Sequence, residues 1–285
     1  MPTIAVTAAT GQLGRLVVQA LQEKGADVVA VVRNPVKAAE VLGPDVAVRT
    51  AGYDDPTALQ AAFSGVDTAV LISGSEVGRR VQQHTNVVEA AKAAGVTRVV
   101  YTSAPHADTT ALVLAPEHKA TEEVIAASGL AFTILRNNWY HENFAAQVGQ
   151  AGESGVLLGS AHGGRTASAS RRDYAEAAAA VAVGVGHENQ VYELAGDVAW
   201  TMPELASAIA EVTGRPVEYR DLSTDEHVAA LVGAGLDEGT AGFVAALDAN
   251  TADGALADTS TGDLRRLIGR PSTPLVEGLR AAFVH

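Results

Sequence analysis

The 285-residue chain is 47% hydrophobic and 19% charged, which gives room for one large α/β domain or a core domain with a smaller lobe and excludes a disordered chain. Its net charge of −13, with no run of Lys or Arg, argues against nucleic-acid and anionic-membrane partners, since phosphate contact needs basic clusters. Zero cysteines exclude a disulfide framework, a thiol nucleophile and a zinc–thiolate site.

In chain order, Ile4–Thr7 is a β-branched run, and the small-residue turn Ala8–Gly11 and an amphipathic helix over Leu13–Glu23 follow it without a spacer. A strand beginning so early leaves no room for a signal peptide, so the expected localisation is cytoplasmic. Further strands are predicted at Val28–Val32, Val46–Arg49, Thr68–Ile72, Arg98–Thr102 and Thr133–Leu135. Helices are predicted around Ala58–Ala62, Val81–Ala94 and Glu117–Ala127, and Gly25, Gly65, Gly95 and Gly129 fall where C-terminal caps belong. Apolar strands alternating with helices mean a parallel sheet covered on both faces, the doubly wound, Rossmann-like α/β class.

Beyond Arg136 the pattern loosens. Val156–Leu158 and Val191–Leu194 read as strands, and Arg172–Val183 as an Ala-rich buried helix whose most apolar part is about half the length needed to cross a bilayer. From Met202 come short helices, a strand near Val217–Arg220 and a Gly-rich helical region to Ala246. The expected division is a Rossmann domain over residues 1–150, its sheet receiving strands from the 155–195 region, and a smaller α/β substrate-side lobe made mainly of residues 196–285. Ala-rich helical faces permit a homodimer, and the Gly-rich stretch Leu231–Gly242 is a candidate mobile lid.

The opening strand–turn–helix is the context in which a glycine turn binds a dinucleotide. Gly11 lets a pyrophosphate approach the backbone, Gly14 lets the helix pack on the strand, and the helix N-terminus presents free N–H groups to the anion. Ala8, Ala9, Thr10, Gln12 and Leu13 complete the candidate loop. The second strand ends in Arg33, with Lys37 one turn on, where an NAD-preferring protein carries an acid for the ribose 2′-hydroxyl. An acid would repel a 2′-phosphate and a guanidinium binds it, so NADPH is the expected cofactor. Ser73, followed by Gly74, and Ser103 lie at carboxyl ends of strands, where a ligand crevice opens.

The Tyr-x-x-x-Lys pair that protonates the alkoxide in many short-chain reductases is missing: Thr57, Pro105, Phe144, Ala178, Gly196 and Ser223 stand four residues after the six tyrosines. Reduction of a simple ketone gives an alkoxide that needs a proton donor. Reduction of a quinone gives a phenolate-like anion with a pKa of about 10, for which water or a weak donor suffices. The eight histidines show no metal-ligand spacing, and no serine sits in a Gly-x-Ser-x-Gly elbow. His118, Lys119 and Glu122 share one predicted helix and invite an acid–base role; the plainer reading is a solvated face with a His118–Glu122 pair.

These residues resemble the NmrA-like, atypical short-chain dehydrogenase/reductase family, and within it the bacterial type 2 NAD(P)H:quinone oxidoreductases. The resemblance is carried by Thr10–Gly14, Val32–Pro35, Leu71–Gly78, Ala91–Val96, Tyr101–Ser103 with His106–Thr109, Leu135–Asn143, Ala167–Tyr174 and Tyr192–Asp197. It implies two-electron reduction of a small-molecule quinone by NADPH, with neither flavin nor metal. It further implies that the nicotinamide end meets Asn138, Tyr140, Glu142, Asn143 and Arg171; Trp139 or Tyr140 is a candidate to stack on a flat ring there, the plainer reading of both being core aromatics under the lobe. Tyr140, Lys119 and His118 are the candidate catalytic side chains. One departure stands out: the family's first loop glycine is Ala8 here, which is tolerable if its φ is negative. The rival expectation is an NmrA-type sensor that binds NADP(H) without turnover; a third, an isoflavone-reductase-like or epimerase-like enzyme, would depend on Lys119.

Overall fold

A computed structural model describes residues 2–283. The first half alternates strand and helix: β1 (Thr3–Val6), α1 (Gln12–Glu23), β2 (Asp27–Val32), α2 (Pro35–Leu42), β3 (Ala47–Thr50), α3 (Pro56–Ala62), β4 (Thr68–Leu71), α4 (Arg80–Ala93), β5 (Arg98–Ser103), α5 (Ala115–Ala127) and β6 (Ala131–Asn137). There follow α6 (Ala145–Ser154), β7 (Val156–Gly159), β8 (Arg165–Thr166), α7 (Arg171–Val183), β9 (Gln190–Leu194), β10 (Trp200–Thr201), α8 (Met202–Thr213) and β11 (Glu218–Asp221). The chain ends with α9 (Thr224–Gly233), α10 (Glu238–Ala252), α11 (Asp263–Ile268) and α12 (Leu275–Phe283).

Seven strands form one parallel sheet in the order β3-β2-β1-β4-β5-β6-β9. Strand order reverses between β1 and β4, the position at which a doubly wound sheet opens a ligand crevice. β4 and β5 are buried at every residue, as strands covered on both faces must be. One face packs against α1 and α7 through Val17, Leu21, Tyr174 and the alanines of α7; the other packs Leu59, Phe63, Val87 and Ile125 from the α3–α5 side. Gly25, Gly65, Gly95 and Gly129 all have φ between 71° and 85°, the left-handed cap conformation their positions require.

Two points differ from the sequence-based expectations. Helix α2 stands outside the expected elements, although its signal is present: the Asn34 side chain accepts from the Val36 and Lys37 amides and Pro35 opens the helix. Of the strands expected to join the sheet from the 155–195 region, β9 does so, but β7 pairs in parallel with β11 in the lobe. Its alternating burial, with Leu158 40% exposed, suits a one-sided small sheet and not a covered central strand. The Leu231–Gly242 stretch is the end of α9, a tight turn with Gly235 at φ 99°, and the start of α10.

The lobe has its own apolar cluster of Phe144, Val148, Leu157, Trp200, Leu205, Ile209 and Leu279. It is not confined to the chain's end. Phe144 and Val148 enter it from before residue 150, while Leu264 of α11 returns to the main core beside α7.

Candidate active site

The turn after β1 is shaped by its small residues. The Gly11 amide donates to the Ala8 carbonyl at 2.8 Å, and a Cβ on Gly14 would collide with that same carbonyl, so position 14 admits only glycine without rearrangement. A Cβ on Gly11 would stand 3.1 Å from the Ala8 oxygen. Ala8 itself adopts φ 46°, in the left-handed region, which overturns the expectation of a negative φ; the turn keeps its glycine geometry although the methyl is present.

A cavity of about 730 Å³ runs along the carboxyl ends of the strands. Ala8, Thr10, Gly11, Gln12 and Leu13 line it from the first turn, Arg33 and Lys37 from the second, Ser73 and Gly74 from the turn after β4, Tyr140 from the segment after β6 and Arg171 from the start of α7. These groups fit a dinucleotide phosphate: the turn leaves space where a side chain would intrude, and Arg33 is 82% exposed, with the Glu76 carboxylate at 3.8 Å. Arg171 lies over the Tyr140 ring, its carbon 4.9 Å from the centroid, and donates to Asn143 Oδ1 at 2.7 Å. Burial pushes the Tyr140 phenol above its ordinary pKa, and Asn137, donating to its oxygen at 3.3 Å, offsets this only partly. Burial also lowers the Arg171 guanidinium, against the pull of Glu142.

Other expected site residues have different partners. Ala9 is fully buried in the core. Ser103 donates to Glu122 Oε1 at 2.5 Å, within a cluster where buried Arg136 also meets Glu122 at 2.7 Å, Asp108 at 2.8 Å and Glu193 at 2.9 Å. Asn138 is buried and donates to the Leu256 carbonyl at 3.1 Å. Glu142 accepts the Arg171 amide at 2.9 Å, and Asn143 holds the Arg171 guanidinium, so both act on that arginine and do not line the cavity. Trp139 is half-buried and packs against the lobe cluster and against a small cluster of Ala104, Leu112, Ala115 and Leu256.

The acid–base trio is dispersed. His118 is buried with its Nδ1 2.8 Å from the Tyr101 hydroxyl, Glu122 turns to Arg136, and Lys119 is exposed. The face of α5 bearing His118 and Glu122 is therefore an inward one, and the two are not each other's partners. Burial lowers His118 to about 3, which leaves it neutral. No group of three or more potential metal ligands occurs among the described residues.

The walls of the turn after β4 are made by residues that carry no motif. Tyr53, reaching in from the turn after β3, lines the cavity, donates to the Ile72 carbonyl at 2.7 Å and lies 2.6 Å from the Thr7 hydroxyl. Buried His84 and Arg80 hold Gly74 from behind. Tyr53 sits just after the third strand of an alternating pattern, a position that marks it as a crevice residue; nothing local in the sequence marks His84 or Arg80.

The model of the NmrA-like family matches residues 1–267. The chain belongs to the NmrA-like family. Among its relatives, "Quinone oxidoreductase 2" of Escherichia coli K12 is 48% identical over 282 residues, covering 98% of each chain. The crystal structure of the NADPH-dependent quinone oxidoreductase of Escherichia coli complexed with NADPH superposes with a TM-score of 0.93 over 98% of this chain and 99% of that one. The triphenylmethane reductase of Citrobacter sp. complexed with NADP(H) is 39% identical with a TM-score of 0.92, covering 98% of this NmrA-like chain and 99% of its own.

Proposed function

We propose that this NmrA-like protein is an NADPH-dependent quinone reductase. The observation that carries the reading is the single crevice that joins the phosphate turn and Arg33 at one end to Tyr140 and Arg171 at the other. Ala8–Leu13 and the N-terminus of α1 hold the pyrophosphate, and Arg33 with Lys37 receives the 2′-phosphate. Bound NADPH supplies the hydride, that is, two electrons and one proton.

The chain's own contribution is position. Arg171, fixed by Glu142 and Asn143 and stacked on Tyr140, forms one wall of the inner end. Tyr140 lines that end of the crevice beside Arg171, and its raised pKa makes it a weak acid. A quinone suits a site of this kind. The anion formed is phenolate-like, takes its second proton from water, and places little demand on a general acid. Lys119, on which an isoflavone-reductase-like or epimerase-like mechanism would depend, is exposed on α5 and does not line the cavity.

The test mixes the protein with NADPH and a soluble quinone and follows the near-ultraviolet absorbance of NADPH. Quinone-dependent loss of that absorbance is expected, and Arg33→Ala should raise KM for NADPH roughly tenfold or more while leaving KM for NADH nearly unchanged. Tight NADPH binding without turnover of any quinone would favour the sensor reading. Equal effects of Arg33→Ala on both cofactors would remove the 2′-phosphate assignment.

A further inference from the structure

The turn after β4 is held at almost every backbone polar group, and each time by a side chain from another element. The Ile72 amide donates to Thr7 Oγ1 at 3.1 Å, and the Ile72 carbonyl accepts from Tyr53 at 2.7 Å. The Ser73 amide donates to Thr102 Oγ1 at 2.9 Å. The Gly74 amide donates to His84 Nε2 at 2.9 Å, and the Gly74 carbonyl accepts from Arg80 Nε at 2.8 Å. A side chain at position 74 would touch Gln83, His84 and Tyr53.

The Gly74 pair has a fixed proton order. A backbone N–H is always a donor, so His84 Nε2 must be the unprotonated nitrogen. The proton then sits on Nδ1, which lies 3.0 Å from Thr121 Oγ1 on α5. Thr121 in turn donates to the Glu117 carbonyl at 2.9 Å, so its oxygen is free to accept from Nδ1–H. Glu117 also serves the second arm, since its carboxylate meets Arg80 at 3.0 Å and accepts the Gly78 amide at 2.8 Å. Burial and the neighbouring Arg80 charge lower His84 to about 3, so the imidazole stays neutral.

The geometry points to His84, set in its Nδ1–H tautomer by Thr121, as a positioning residue that presents the Ser73–Gly74 turn to NADPH. It touches no ligand itself; it acts through one peptide of the crevice wall. A buried histidine and a buried arginine are committed to a single glycine, with buried Thr121 behind the histidine, a large investment in a turn that lines the cavity. The inference rests on the proposal that NADPH occupies this crevice.

Three variants test it, with NADPH binding measured by titration and the His84 tautomer by nitrogen NMR of the ligand-free protein. His84→Gln places an acceptor near the Nε2 position and should bind NADPH within about threefold of wild type, whereas His84→Leu removes the acceptor and should weaken binding roughly tenfold. Thr121→Val, nearly isosteric and remote from the cavity, deprives Nδ1–H of its acceptor. It should shift His84 towards the Nε2–H tautomer and weaken binding by several-fold. Folding of Thr121→Val and His84→Gln keeps the test open if His84→Leu does not fold. An Nε2–H tautomer in the wild type, or NADPH binding by Thr121→Val and His84→Leu equal to wild type, would overturn the positioning role alone. Failure of the wild type to bind NADPH would overturn the cofactor reading and this role with it.

Discussion

Ala8 occupies a backbone conformation that disfavours any Cβ. At φ 46° its methyl crowds the carbonyl that follows, which costs roughly 1–2 kcal/mol against glycine. The turn tolerates this because its other constraints are met: the Ala8 carbonyl accepts from Gly11, the Ala9 amide donates to Val31, and Gly14 leaves room for the helix. Ala8→Gly removes the crowding and also frees the unfolded chain, which returns about 0.4–1 kcal/mol. The expected net result is a stabilisation of a few tenths to about 1 kcal/mol, seen as a higher urea midpoint at an unchanged slope. A lower midpoint would mean that the methyl makes packing contacts that outweigh the strain.

At the scale of elements, α7 shows how a helix start is put to use. The Ser170 hydroxyl accepts the Asp173 amide at 3.1 Å, and Asp173 reaches back to the Ser170 amide at 3.1 Å, closing a capping box. The fully buried Asp173 carboxylate also meets Arg270 at 2.8 Å and the Thr273 amide at 3.0 Å, which ties the returning chain to the sheet domain. Arg171, the first residue of α7, is thereby placed on the crevice. Ser170→Ala should cost about 1 kcal/mol in thermal or urea unfolding; no change would mean that Asp173 alone caps the helix. Much of this was legible in the sequence. Central strands announce themselves as unbroken apolar runs, glycines mark helix ends, and the first turn carries its own context. The partners of Ser103, Asn138 and His118 were not legible, because each side chain is satisfied by a residue brought close only by packing, such as Glu122, Leu256 or Tyr101. For the same reason the clamp on Ile72–Gly74 has no local signature: its members are spread over the turn after β1, β5, α4, α5 and the turn after β3.

For the molecule as a whole, the buried histidines link folding to protons. His84 and His118 fall from an ordinary 6.5 to about 3, chiefly because burial disfavours the charged ring, with the Arg80 charge adding to the effect. His141 is lowered by burial too; its two nitrogens lie 2.8 Å from Ser168 Oγ and 3.0 Å from the Thr273 carbonyl. As pH drops below 6.5, the unfolded chain takes up protons at these three positions that the folded chain refuses. Their stabilising contribution is therefore complete above pH 6.5 and is lost as pH falls towards the folded-state values. Carboxylates ordinarily titrate near 4.5 or below, so the interval from 6.5 down to 4.5 reads mainly the histidines, with Asp248, which burial raises, as the exception. Across it the unfolding free energy should decline by about 1 kcal/mol per pH unit for each of His84 and His118, an upper figure that residual structure in the unfolded chain reduces, with His141 adding in the same direction. Urea denaturation at half-unit pH steps measures this. His118→Asn keeps an acceptor for Tyr101 but cannot titrate, so it should lower stability at pH 7 yet flatten the slope by about one proton's worth. A slope unchanged in that variant would mean that His118 is protonated in the folded protein.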